Sequence, residues 1–214
     1  MPVTSRKAAA PGVSSALEVA AVGAIVSLIA LALLCRTLLA HVGSWDVAEF
    51  QTVPDILGIC HPTGYPLYTL LGKLWLLLIP FGSVAWRMSL LSAVCTALAA
   101  GVLAATCRVF APRTVAAAAG LTFAFAYYQW HVASHADPHS LNALFAALIV
   151  AAGLAWEAKP SSSGYQALVA ACGFAVANHM LALGLGVCEV DTSEFIKSGG
   201  SVYCMKQFLF GRRR

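Results

Sequence analysis

Four groups of residues have the types and spacing to do chemistry. Asp46-Val-Ala-Glu49 sets two carboxylates three positions apart, on one face of a helix. A carboxylate beside a membrane is partly desolvated, which raises its pKa toward use as a general base. The plainer reading is an acidic loop next to a helix start. His61-Pro62-Thr63-Gly64-Tyr65-Pro66 has a rigid, non-helical backbone that can hold His61 and Tyr65 toward a ligand, or simply turn the chain. His131-x-x-x-His135-x-Asp137-x-His139 puts two imidazoles at i, i+4, a spacing that can bind metal. The chain has six histidines and no HxxHH box, and Pro138 interrupts helix before His139, so no metal is expected there. The plainer reading is an interfacial polar cluster. Asn178-His179 lies inside an apolar run, where polar side chains face a cavity or bond to a neighbouring helix.

These groups are carried by a chain unlike a soluble domain. Of 214 residues, 60% are hydrophobic and only 10% charged, and mean hydropathy is +0.80. Soluble domains carry roughly 25% charged residues. A disordered chain, a nucleic-acid module and a disulfide-stapled secreted domain are therefore excluded, which leaves an integral membrane protein. The seven cysteines include no CxxC pair, and several lie inside apolar runs as small hydrophobes. The net charge of +4 is concentrated at segment ends and in the tail. It is therefore a topology signal rather than a partner signal.

The expected fold is all-α, a polytopic membrane bundle of five to six helices. Residues 1–16 read as a flexible basic leader, 17–187 as the transmembrane domain, and 188–214 as a polar tail, natural or aberrant. Leu17–Ala40 reads as a signal anchor, too long for a signal-peptide core. Residues 41–66 form an acidic, proline-broken loop. Leu67–Gly82 is apolar but interrupted by Lys73. Charge-free runs follow at Met88–Cys107 and Thr114–Ala136, then spans at Ser140–Trp156 and Tyr165–Val187. Tyr127, Tyr128 and Trp130 read as an interfacial belt. If Leu67–Gly82 crossed, Arg108 and Arg113 would fall outside. If it is interfacial or re-entrant, Arg6, Lys7, Arg108, Arg113 and Lys159 share the cytoplasmic side. The second path is preferred: five spans and one interfacial helix.

In this order, WDVAEF…LGICHPTGYPLYTLLGKL, RMSLLSAVCTALAA, WHVASHADPHSLNALF and ANHM resemble one family over residues 40–182. It is the membrane family that includes the endoplasmic-reticulum transmembrane O-mannosyltransferases, itself similar to the GT-C glycosyltransferases. The family's acidic D-x-x-E motif falls on Asp46 and Glu49, with Ala48 where Gly is frequent. Its HPPGYPL segment falls on His61–Leu67, with Thr63 for a proline. Its E-V-Y-x-L-N segment falls on Asp137–Asn142, with Asp137 for Glu and His139 for Tyr. Family members run several hundred residues further, so the chain resembles an N-terminal half.

The resemblance implies no cofactor and no metal. It implies a lipid-linked co-substrate, dolichyl- or polyprenyl-phosphate mannose or another hexose. The other partners are membrane lipid and a protein acceptor carrying Ser or Thr, with no nucleic acid. Asp46 would be the base for an inverting transfer. His61 and Arg87 would meet the phosphate, and Glu49 and Asp137 would orient hydroxyls. Tyr65, Asn142 and His179 complete the expected substrate site. The membrane would be endoplasmic reticulum in a eukaryote and inner membrane in a bacterium. The rival readings are a truncated, non-catalytic membrane protein and a transporter. A transporter places polar groups near the midplane, whereas these carboxylates lie in loops.

Overall fold

The computed structural model describes residues 15–62 and 64–180, and among these every regular element is helical. Helix α1 spans Ala16–Leu34 and runs into a 3-10 turn, Cys35–Thr37. After an irregular stretch come α2 (Asp46–Ile56) and α3 (Pro66–Leu78). Then follow α4 (Val84–Arg108), α5 (Arg113–Phe125), α6 (Tyr127–Ala133), α7 (Pro138–Ala158) and α8 (Ser162–Asn178). Among the described residues three segments are long and apolar enough to cross a membrane: Ala16–Thr37, Val84–Arg108 and Pro138–Ala158. The tail and most of the leader lie outside the described residues.

Helix α4 is the central element. Met88, Leu91 and Cys95 meet Phe50, Tyr68 and Leu141 in one core cluster. Lower down, Ala97, Ala100 and Ala104 meet Val26, Ala30 and Ala124 in another. Small residues let backbones approach closely where lipid provides no hydrophobic drive for helix association. At the α1–α4 crossing, a methyl added to Gly101 would lie 2.6 Å from the Gly23 carbonyl oxygen, and one added to Gly23 would lie 2.8 Å from that of Gly101. Glycine is required on both sides.

Helices α1 and α4 are antiparallel. At one end, Arg108 Nη2 donates to Glu18 Oε1 at 2.9 Å, and Arg113 Nη2 stands 3.6 Å from the same oxygen. At the other, the Ser83 hydroxyl caps α4 by accepting from Trp86 N–H and donates to Ala40 O at 3.0 Å. Ala40 and Ser83 therefore lie at the same end of the bundle, and α2 and α3 leave and return on that side. At about 1.5 Å per residue the 13 residues of α3 reach about 20 Å, short of a bilayer core of about 30 Å. Lys73, the charge inside α3, donates to Asp55 O and lies 3.6 Å from Asp55 Oδ1.

Four expectations need correction. The run Thr114–Ala136 is not continuous: Ala126, at φ −58° and ψ 139°, separates α5 from α6. Helix α6 ends at Ala133, so His131 and His135 do not share a helix face. Pro138 opens a helix rather than breaking one, because the first helical position needs no N–H donor, and Asp137 is its N-cap. Asn178 likewise ends α8, with His179 in extended backbone, so this pair terminates the helix and is not inside it.

Gly101→Ala and Gly23→Ala should each destabilise the bundle by about 1–3 kcal/mol, the range for overpacking a tight contact. Gly173→Ala, where an added methyl meets nothing within 4 Å, should not. Thermal unfolding in detergent reads the difference.

Candidate active site

The end of the bundle where α2 and α3 return holds a cavity of about 330 Å³. Asp46 and Asp137 line it, together with the rings of Phe50, His61, Tyr65 and His139. These residues come from four separate elements, each fixed by a local interaction.

Asp46 and Glu49 occupy the first turn of α2, where carboxylates suit the helix dipole. Glu49 accepts from His61 twice, from the backbone N–H at 2.6 Å and from Nδ1 at 2.7 Å. This bidentate grip fixes His61 across the cavity from α2. Trp45 (φ 54°) and Tyr65 (φ 45°), both lining the cavity, hold left-handed backbone uncommon for bulky side chains. Each precedes a helix, α2 or α3, so the turns that aim Asp46 and Tyr65 are strained ones. Such outliers cluster at functional sites.

The opposite wall is the start of α7. The Asp137 peptide is gripped by Ser92 of α4: its N–H donates to the Ser92 hydroxyl at 3.0 Å, and Ser140 donates to its carbonyl at 2.6 Å. Its carboxylate accepts from His139 N–H at 2.7 Å, and His135 Nε2 stands 3.6 Å from its other oxygen. Buried Asn178 donates to Pro138 O at 3.1 Å and to Asn142 Oδ1 at 2.6 Å, which ties the end of α8 to the start of α7. His179 is thereby set against Tyr65, with ring centres 5.1 Å apart, and against His139, 5.3 Å apart.

Of the residues expected from sequence, Asp46, His61, Tyr65 and Asp137 line the cavity. Glu49 and His179 stand behind it against His61 and Tyr65, which do, and Asn142 accepts from Asn178. Arg87 is elsewhere: its Nη1 donates to Leu76 O and Ile79 O, both at 2.9 Å, capping the end of α3. Sequence reasoning passed over His135 and His139 as site residues. The signal was present in the H-x-D-x-H run, but a metal box was the question asked of it. Ser92 was legible only as part of a Ser-containing span.

The carboxylates differ in state. Hydrogen bonding from His61 holds the Glu49 carboxyl below the usual carboxylate range, and the same bond raises the His61 imidazole. Burial pushes the Tyr65 phenol up, helped by the charges of Asp137 and Asp46. Burial lowers His179, helped by His139. Among the described residues no hydrogen bond or ion pair engages the Asp46 carboxylate, which is exposed to the cavity. Asp46, Glu49 and His61 each offer one atom within 4.8 Å of the others, a donor set that could hold a divalent cation. A cation there would have to displace the Glu49–His61 bond. The His131–His139 run forms no such cluster among the described residues.

The charge-dependent part of the Glu49–His61 pairing has a defined pH window. It is fully present between the ordinary carboxylate and imidazole pKa values, about 4.3 and about 6.5. It is lost as pH rises through the raised His61 value, and as pH falls through the lowered Glu49 value. An NMR titration should place His61 above about 6.5, and Glu49→Gln should return it to that value or below.

Comparison with known proteins follows the same residues. Residues 46–190 match the family model for the protein O-mannosyl-transferase TMEM260 N-terminal domain. The chain is 34% identical over 148 residues to the mouse protein O-mannosyl-transferase TMEM260, covering 69% of this chain and 20% of that one. It is 28% identical over 116 residues to the Dictyostelium discoideum protein O-mannosyl-transferase tmem260, covering 53% of this chain and 14% of that one. It thus spans about a fifth of the mouse relative's length or less of either. No solved structure matches. The chain belongs to the family defined by the N-terminal domain of protein O-mannosyl-transferase TMEM260.

Proposed function

We propose that this chain carries the catalytic site of a membrane protein O-mannosyltransferase. The observation that carries the reading is the contrast among the site's carboxylates. Glu49 is bonded to His61 and Asp137 to the start of α7, while Asp46 faces the cavity with no hydrogen-bond or ion-pair partner among the described residues. A base must be free to take a proton, and Asp46 alone of the three is. The relatives' names, protein O-mannosyl-transferase, support the reaction class.

In the proposed reaction, a Ser or Thr hydroxyl of an acceptor protein lies against Asp46. The carboxylate takes its proton as the oxygen attacks the anomeric carbon of mannose held by dolichyl or polyprenyl phosphate. The bond from that carbon to the phosphate oxygen breaks, the lipid phosphate leaves with the electron pair, and the sugar inverts. This is the geometry of inverting glycoside chemistry, with base and leaving group on opposite faces. A phosphate leaves as an anion, so the site needs donors near it rather than a strong acid. Asp137 and Tyr65 are placed to bond sugar or acceptor hydroxyls, and Glu49 acts through His61.

The proposed membrane topology has five crossings, α1, α4, α5 (continued by α6), α7 and α8, in a GT-C-like arrangement; α5 alone is as short as α3, and the 7 residues of α6 extend it toward the site's side. α2 and α3 lie at the interface on the site's side. Arg108 and Arg113 mark the opposite end as cytoplasmic. The site then faces away from the cytoplasm, into the endoplasmic-reticulum lumen in a eukaryotic cell.

The test uses transfer of radiolabelled mannose from dolichyl-phosphate mannose to a Ser/Thr acceptor protein. It compares membranes carrying this chain with membranes carrying a chimera in which residues 46–180 replace the matching segment of the mouse relative. Asp46→Asn should lower transfer about 10²–10⁴-fold, the usual contribution of a general base, with an unchanged unfolding midpoint. Wild-type rates in that variant would remove Asp46 from the mechanism.

A further inference from the structure

A second cavity, of about 610 Å³, adjoins the first and shares Ser44, Val47 and His135 with it. Its walls come from the stretch after α1 and from the end of α6. The two cavities differ in their carboxylates. Each is lined by three imidazoles, but the first also has Asp46 and Asp137, whereas the second, with His41, His131 and His135, has no carboxylate. We infer that the second cavity is an anion site that takes the phosphate of a prenyl-phosphate donor, with His41 and His131 as its hydrogen-bond donors. The inference rests on the function proposed above.

Electrostatics favours this division. A phosphate set among Asp46, Asp137 and Glu49 meets like charge, and one in the second cavity does not. A neutral imidazole offers one N–H to an anion, and a protonated one offers two. Neither the His41 nor the His131 side chain has a hydrogen-bond or ion-pair partner among the described residues; His131 makes ring contacts to Tyr127 and His135 only. The other candidates are spent: His61 is held by Glu49, and Arg87 caps α3. His135 lies at the shared wall with Nε2 3.6 Å from Asp137, so it stands where the phosphate and sugar compartments meet.

The walls are also fixed in advance. Gln51, 2% exposed on α2, accepts from Gly43 N–H at 3.0 Å and donates to His41 O at 3.2 Å. Leu39 N–H donates to Ser134 O at 2.8 Å and closes the other side. A buried amide used wholly to shape an irregular loop matches a binding wall, because preorganised donors reduce the ordering cost of binding. The depth fits as well. Trp45, 91% exposed, lines the first cavity, and Tyr127, 87% exposed, stacks on His131 of the second; exposed aromatic side chains of this kind sit at the headgroup level. A lipid phosphate lies at that level, with its chain free to run along the apolar face of α1.

The test measures binding of farnesyl phosphate and of farnesol to the detergent-solubilised chain. The wild type should prefer the phosphate by about tenfold or more, the expectation for charge-assisted hydrogen bonds. His41→Ala/His131→Ala should bring the ratio near one, and Asp46→Asn should leave it intact or raise it. Ring-nitrogen NMR of the wild type gives a readout without substitution: farnesyl phosphate should shift His41 and His131 and spare His61. An unchanged ratio in the double variant, no phosphate preference in the wild type, or shifts confined to His61 would each overturn the site. The transfer reading fails separately. Phosphate preference carried by these histidines alongside wild-type transfer in Asp46→Asn would keep the anion site and discard the base.

Discussion

Irregular backbone beside an apolar bundle must find hydrogen bonds inside the protein, because lipid supplies none. That constraint shapes this molecule. The stretch after α1 and the stretch before α7 have no regular structure, and the hydroxyls of α4 satisfy them. Ser83 holds Ala40, Ser89 donates to Leu39 O at 2.9 Å, and Ser92 grips Asp137. These three hydroxyls, at the cap and first turns of α4, join Gln51 and Ser140 in fixing Asp137 and the wall around His41.

The same economy runs through the rest of the site. Arg87 looks like a ligand-binding cation in sequence, yet it satisfies the carbonyls at the end of α3, and Trp75 Nε1 returns a bond to Arg87 O at 2.8 Å. Glu49 and His61 pair through two hydrogen bonds and hold a turn in place. Asn178 stops α8 and pins α7. Many polar groups near the apolar core are tied to another, whereas the Asp46 carboxylate and the His41 and His131 imidazoles, which line the two cavities, have no hydrogen-bond or ion-pair partner among the described residues.

The far end of the bundle is simpler. Glu18, Arg108 and Arg113 draw α1, α4 and α5 together, and glycine and alanine between them set the spacing. Two core clusters follow, one of alanines toward this end and one of aromatic and large aliphatic side chains beneath the site. The aromatic cluster is the floor on which Tyr65 and His61 rest. Phe50 meets Tyr65 edge-on at 5.1 Å and His61 at 5.5 Å.

Sequence alone determined the helical class, the long apolar runs, and the acidic and histidine motifs, and it left the crossing of Leu67–Gly82 to loop charge as a preference. Composition, run length and loop charge are local sums, so they can be read without coordinates. The i, i+3 pair Asp46 and Glu49 was legible for the same reason, since helix periodicity fixes it. What the tertiary structure decided was partnership. It bonded Glu49 to His61 twelve positions away, sent Arg87 to a helix end, broke the Thr114–Ala136 run at Ala126, and confined the aspartates to one of two adjoining histidine-lined cavities. No periodicity encodes those outcomes. They depend on which unsatisfied backbone groups and which free side chains meet once the helices have packed, and that is set by the close crossing of α1 on α4 and the hydroxyls of α4 above it.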